Sequence, residues 1–464
     1  MTGASAVQPQ MDLEAGGLGG HPPGLNVLFF TELWERFSYY GMRAILVLFM
    51  VAPALSGGLG FSTEDASHIY GWYTSLVYLT SIPGGLIADR LLGPRKAILI
   101  GGTIIALGHF TMAFPSTFTF FAGLVLIVIG TGFLKPNIST MVGKLYSPTD
   151  PRRDAGFSIF YMGINIGATL SPFVCGTLAQ SKQFKDFLVS VHLPAEASWH
   201  FGFAAAGVGM CIGLIHLLMQ YHVLDKVGGK TERPPQTKEE KAAATKGPLF
   251  SKDESKKLAA LAMLFCFNIL FWAIFEQGGS SLNLFADKLT DTTIFGYPFP
   301  SSWFQSLQPI YVIALAPVFS YIWLALKDKQ PSSPAKFSLG LMFVGLGIAT
   351  MIPAAMLSAH GKVSPFFLIA VYFIETLGEL CLSPVGLSTV TKLAPTRFQS
   401  LTMGTWFVSI AIGNWLAGHL SSFFKEDTST MISLFGAMAG AALLVSGLLA
   451  VLVPTIKKLM GNVR

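Results

Sequence analysis

Apolar stretches long enough to cross a bilayer recur along this chain from Leu25 nearly to its end, and short polar breaks rich in charge, Pro or Gly separate them. A helix needs about 20 apolar residues to cross roughly 30 Å of hydrocarbon. Splitting the chain at the breaks predicts spans near residues 26–53, 67–92, 97–115, 118–142, 154–178 and 200–224. A second set follows near 258–287, 302–326, 337–358, 364–391, 398–421 and 429–456. The pattern predicts an all-α membrane protein with 12 transmembrane helices in two six-helix bundles. Residues 1–24 read as an N-terminal tail, 25–224 as one bundle, 225–257 as a linker, 258–457 as the second bundle and 458–464 as a C-terminal tail. The linker is rich in Lys, Glu and Pro and has little apolar content to bury.

Composition fits this pattern. Of 464 residues, 52% are hydrophobic and only 12% charged, against about a quarter charged in soluble domains. The first 24 residues contain Asp12 and Glu14 but no Lys or Arg, so they lack the basic region of a cleavable signal.

The 31 basic residues fix an expected orientation. One side would collect 23 of them: Arg90, Arg95, Lys96, Lys144, Arg152, Arg153, Lys327, Lys329, Lys336, Lys392, Arg397, Lys457, Lys458, Arg464 and nine in the linker. Lys182, Lys185, Lys288, Lys362 and Lys425 fall on the other side. The positive-inside rule then predicts a multi-pass membrane protein with both termini and the linker cytoplasmic. The basic balance reflects topology, and no nucleic-acid partner is expected.

Cys175, Cys211, Cys266 and Cys381 lie in apolar segments, where cysteine acts as a small hydrophobe. The nine histidines have no ligand spacing, so no metal is expected. Neither HExxH nor GxSxG occurs, and no Gly-Lys pair completes a phosphate-binding loop. Enzymatic chemistry and ATP-driven transport therefore have no support; no cofactor is expected, and no obligatory protein partner is evident.

Eight charges lie inside the predicted spans: Glu32, Glu35, Arg36, Arg43, Lys135, Glu276, Glu375 and Glu379. Each costs about 2.5–3.5 kcal/mol at a helix centre, so they must face one another or a polar cavity. In the first span Glu32, Glu35, Arg36, Tyr39, Tyr40 and Arg43 recur at intervals of three and four and share one helical face. Arg36 can pair with at least one of the two carboxylates, and protonating that acid would release it. Two tyrosines between two arginines suit a carboxylate ligand. Lys135 adds a further positive charge, and Glu276, Glu375 and Glu379 in the second set supply the opposite sign. A zwitterion could span that gap.

These residues carry a family resemblance. Glu32-Leu-Trp-Glu35-Arg36-Phe37-Ser-Tyr39-Tyr40-Gly41 resembles the ExxERFxYYG signature of the proton-dependent oligopeptide transporters of the major facilitator superfamily. Gly84-Gly85-Leu86-Ile87-Ala88-Asp89-Arg90 resembles the superfamily's turn between its second and third helices. Phe160-Tyr161-Met162-Gly163-Ile164-Asn165-Ile166-Gly167 resembles FYxxINxG, and Trp303-Phe304-Gln305 with Gln308 extends the likeness, which spans about residues 25–455. The resemblance implies a proton-coupled symporter of di- and tripeptides working by alternating access, with protons as the coupling ion.

It further implies that Glu32, Glu35 and Arg36 couple protons and that Glu276 is a second protonatable site. Tyr39, Tyr40, Arg43, Tyr78, Lys135 and Asn165 would line the first half of the peptide site, with Arg43 and Lys135 holding the peptide carboxylate. Trp272, Gln308, Glu379, Ser383 and Trp406 would line the second half, with Glu379 receiving the amino group. Tyr78, Asn165, Ser383 and Trp406 also have a packing reading, and Glu375, outside the signature, is expected to play a structural part. The sequence departs from the family pattern in several places. The linker is too polar for the two additional helices that bacterial members often carry, and Gly71 stands where animal members have an essential histidine. Gln308 replaces a common Asn, and Ala168 follows Gly167 where Ser is common. Another solute on the same scaffold (nitrate, a drug-like molecule or an amino-acid derivative) and a non-transporting peptide sensor are the alternatives.

Overall fold

The structure, a computed structural model, describes residues 16–147, 150–225, 227–229, 251–294, 296–395 and 398–461. The first part of the N-terminal tail with Asp12 and Glu14, most of the linker with six of its nine basic residues, Arg397 and Arg464 lie outside the described residues.

Among the described residues the chain is almost wholly helical. The first half contains α1 (Pro23–Val51), α2 (Thr63–Leu79), α3 (Ser81–Ile87), α4 (Pro94–Met112), α5 (Thr117–Lys144), α6 (Arg153–Gln180), α7 (Lys182–Ser190) and α8 (Ser198–Met219). The second contains α9 (Lys252–Phe275), α10 (Ser281–Leu289), α11 (Leu307–Leu326), α12 (Ser333–Ala349), α13 (Met351–Ser358), α14 (Phe366–Leu393), α15 (Gln399–Ser421) and α16 (Thr428–Met460). A two-stranded hairpin pairs Thr293–Ile294 with Tyr297–Pro298 and is the only sheet among the described residues. Joined end to end, α2 with α3, α9 with α10 and α12 with α13 form single rods, so twelve rods, set apart from the short α7, correspond to the twelve predicted spans.

Eight of those rods are apolar enough over 18 residues to be recognised by length and composition alone. The remaining four are α1, α2 with α3, α4 and α15. Their polar residues are tolerated because other helices surround them: α1 lies against α6 and α8, α4 between α5 and α8, and α15 against α2 and α9. In the second half α12 packs on α14 and α16, and the halves meet where α2 contacts α15 and α6 contacts α11.

Close approach at these crossings uses glycine. A Cβ on Gly84 would lie 2.0 Å from the carbonyl oxygen of Gly132, and one on Gly418 would lie 2.5 Å from the Cα of Gly71. Without side chains the backbones can touch, which supplies the van der Waals packing that lipid tails cannot.

The structure corrects one expectation and adds one element. The span near 258–287 is not continuous: its helix begins earlier, at Lys252, where Ser251 and Glu254 form a capping box, and it breaks at the 3-10 turn Glu276–Gly279 before α10. The connection after the fifth span contains the amphipathic α7, which Ser181 caps by accepting from the backbone N–H of Phe184. At the start of α16, Asp427 accepts from the hydroxyls of Ser429 and Thr430 and from the Thr430 backbone N–H. These bonds hold its carboxyl down at about 2, so the cap stays charged at physiological pH.

Overpacking a tight crossing costs about 1–3 kcal/mol. Gly84→Val is therefore expected to lower the melting temperature of detergent-purified protein, whereas Gly440→Ala, which meets open space, leaves it within experimental error. Equal melting temperatures for the two variants would refute the packing account.

Candidate functional site

Helix α1 runs from the face that carries both ends of the helical array to the opposite face, and its polar stripe runs with it through the middle of the molecule. Glu32, Glu35 and Arg36 are each no more than 4% exposed. Arg36 donates through Nη2 to Glu35 Oε1 at 2.7 Å and through Nε to Glu35 Oε2, and Nε lies 3.3 Å from Glu32 Oε1. Glu32 Oε2 is buried and has no partner among the described residues. One arginine thus serves two carboxylates, and one oxygen of the pair is left over. Adding a proton to Glu32 would therefore break little, whereas losing Arg36 would leave two buried anions.

Two turns further along α1, Arg43 crosses to the other half. Its Nη2 lies 2.7 Å from Glu276 Oε2, its Nε donates to the Tyr70 hydroxyl at 2.6 Å, and Tyr70 donates onward to the same Glu276 oxygen at 3.4 Å. Glu276 can face α1 because α9 ends there. The helix break that the sequence did not disclose lets the carboxylate reach across the interface.

A cavity between the halves is lined from the first by Tyr40, Arg43, Tyr78, Ala168 and Pro172. The second half contributes Trp272, Phe275, Glu276, Gln305, Gln308, Tyr372, Glu375 and Glu379, among others. Of the residues predicted from sequence, the fold gathers Tyr40, Arg43, Tyr78, Trp272, Glu276, Gln308 and Glu379 here. The Gln308 side-chain amide donates to Glu379 Oε2. Trp272 donates through Nε1 to Asn268 Oδ1 at 3.1 Å, which fixes its ring at the wall. Lys135 sits behind Tyr78, with Nζ 3.6 Å from the ring centroid.

Other predicted residues do not line the cavity. Tyr39 stacks on Tyr73. Asn165 donates to the Tyr161 carbonyl of its own helix, the packing reading. Ser383 carries a buried hydroxyl without a partner among the described residues. Trp406 is 2% exposed and wedged against Phe265, Phe337 and Gly386, so it also packs.

Sequence reading missed Tyr70, Phe275 and Tyr372, which carry no charge of their own and match no quoted signature. It also gave Gln305 no part in the site. Gln305 donates to the Tyr372 hydroxyl at 3.0 Å and to the Gly278 carbonyl, so it ties the broken helix to α14. At Gly71, where animal members of the resembled family carry histidine, a Cβ would lie 2.8 Å from Gly418 Cα. No larger side chain fits there while the halves touch.

Among the described residues, hydrogen bonds between the halves cluster toward the face opposite the chain ends. Asn283 donates to the Ala44 carbonyl at 2.8 Å, Ser306 to the Thr169 carbonyl at 2.8 Å, Trp303 to Thr177 at 3.2 Å, and Ser67 to Ser421 at 3.2 Å. Gln180 bonds both Ser301 and Ser302. The Arg43–Glu276 pair belongs to this latch, as does Asn414, which donates to the Thr74 carbonyl at 3.4 Å.

Comparison with known proteins agrees with this architecture. The sequence model of the POT family matches residues 95–246 and 238–439. The chain is 38% identical to the peptide transporter YePEPT of Yersinia enterocolitica, covering 96% of each. It is 36% identical to the di-/tripeptide transporter of Lactococcus lactis subsp. cremoris, covering 96% of this chain and 98% of the relative. A crystal structure of the peptide transporter POT in complex with sulfate superposes with a TM-score of 0.86 at 39% identity, covering 97% and 98% of the two chains. With two bundles of major facilitator type, a charged cavity between them and relatives matched over almost their entire length, this chain belongs to the POT family, a family of transporters and not of enzymes.

Proposed function

We propose that this chain imports di- and tripeptides across the bacterial inner membrane together with protons, by alternating access. The observation that carries the proposal is the distribution of charge around one cavity shared by both halves: a guanidinium on one wall, a carboxylate held by Gln308 on the other, and aromatic rings between. A peptide has an ammonium at one end, a carboxylate at the other and side chains of any kind between them. Charged clamps at two ends and adaptable aromatic walls recognise what peptides share. In this reading Arg43, with Lys135 behind Tyr78, takes the peptide carboxylate, and Glu379 takes its amino group.

Binding and gating then compete for the same arginine. A peptide carboxylate drawn to Arg43 weakens its pair with Glu276, and a proton neutralises the carboxylate set free, so the latch loosens only when both ligands are present. Glu32, Glu35 and Arg36 form a second proton-responsive cluster on the path toward the chain ends. The termini and linker face the cytoplasm, where their basic residues are retained by the membrane potential. One proton moving down 100 mV supplies about 2.3 kcal/mol, enough for roughly 50-fold accumulation of a neutral peptide.

The test is uptake of labelled dialanine by proteoliposomes under an inward proton gradient. Wild type is expected to concentrate the peptide, and failure to do so, or faithful competition by nitrate or simple amines in its place, would move the assignment to another solute. Glu32→Gln is expected to exchange peptide without concentrating it; gradient-driven accumulation by this variant would remove Glu32 from the coupling. Glu379→Gln and Arg43→Ala each remove a charge-assisted contact, worth about 1.5–3 kcal/mol, and should weaken peptide binding by at least about tenfold. Wild-type affinity in both variants would overturn the clamp, and binding without accumulation by wild type would point to a sensor.

A further inference from the structure

The cavity contains one carboxylate that the transport reading leaves idle. Glu375 lines it from α14, one helical turn from Glu379. Its side chain is packed in place: the residue is 1% exposed, and a Cβ on Gly347 would lie 3.0 Å from its Cγ. Among the described residues neither of its oxygens accepts a hydrogen bond, no cation pairs with it, and Oε1 is buried without a partner.

The other two acids of this wall are engaged, Glu276 by Arg43 and Tyr70 and Glu379 by Gln308. A carboxyl buried here without a partner is costly to ionise, and a ligand that pairs with it removes that cost. The ligand that suits it is cationic, because the wall presents three acids and Arg43 pairs with Glu276 rather than with Glu375. We infer that Glu375 forms a subsite for a basic side chain, an ammonium or guanidinium on the first residue of the transported peptide.

The position follows from helix geometry together with the peptide transport proposed above, on which this inference rests. Residues four apart on a helix have Cβ atoms about 5–6 Å apart. With the peptide amine at Glu379, the side chain of the first residue leaves from the adjacent carbon, and a lysine or arginine there reaches one turn along α14. The chain would therefore prefer peptides with a basic first residue over peptides with a neutral one of the same length.

The experiment measures how well lysyl-alanine and norleucyl-alanine inhibit labelled dialanine uptake in proteoliposomes, for wild type, Glu375→Gln and Glu375→Asp. The readout is the ratio of the two inhibition constants within each variant, which does not depend on how much protein is folded. Wild type is expected to favour lysyl-alanine by about tenfold or more, Glu375→Gln to bring the ratio close to one, and Glu375→Asp to lie between. Should Glu375→Gln prove inactive, Glu375→Asp decides alone: a weakened preference supports the subsite and an unchanged one rejects it. A ratio unaffected by both substitutions, or a wild type without the preference, overturns the subsite while leaving peptide transport intact. A wild type that does not take up dialanine defeats the transport reading and the subsite with it.

Discussion

A buried charge has no acceptable partner in lipid, and much of this molecule is arranged around that constraint. Arg43 sits in the middle of α1, and the carboxylate that neutralises it, Glu276, belongs to the other half of the chain. To bring Glu276 within reach, α9 breaks into a 3-10 turn, and Gln305 and Tyr372 hold the carbonyl exposed by the break. The pair therefore neutralises a charge and also closes one end of the interface between halves. A charge pair in that position is a poor permanent glue, since desolvation cancels much of its attraction. It is well suited to being exchanged for another pair.

Around it the protein separates rigid parts from parts that can part. Within each half, crossings such as Gly84 on Gly132 place backbone against backbone, and no water or ligand can enter them. Between the halves hydrogen bonds from Asn283, Ser306, Trp303 and Gln180 predominate, with close glycine contacts at Gly71 and Gly418, at Gly176 and at Gly279. Each such bond is worth about 0.5–1.5 kcal/mol, so the set can form and break as two bodies rock. The cavity lies on this seam, so a ligand bound there touches both bodies at once.

Much of the site was legible in the sequence because membranes make charge conspicuous. Glu32, Glu35, Arg36 and Arg43 could be assigned to one face of one helix from their spacing alone, and the structure joins Arg36 to both acids. Aromatic and amide residues gave no comparable signal. Tyr70, Phe275 and Tyr372 line or brace the site, yet in the sequence they are three more apolar or half-polar residues within spans. Trp406 shows the converse: it lies within the resemblance, but the fold spends it on packing against Phe265 and Phe337.

The sequence by itself determined what a bilayer enforces: the number of crossings, the division into two sets of six, and the rule that eight intramembrane charges must find company. Those are properties of local composition and helical period, and no other part of the chain needs to be known to read them. Only the tertiary structure decided which partners meet. That Arg43 pairs with Glu276, that α9 breaks to allow it, that Gln308 occupies Glu379, and that Glu375 has no partner among the described residues are facts about residues brought together from distant parts of the chain. Helical spacing says which face a side chain occupies and is silent about what packs against that face.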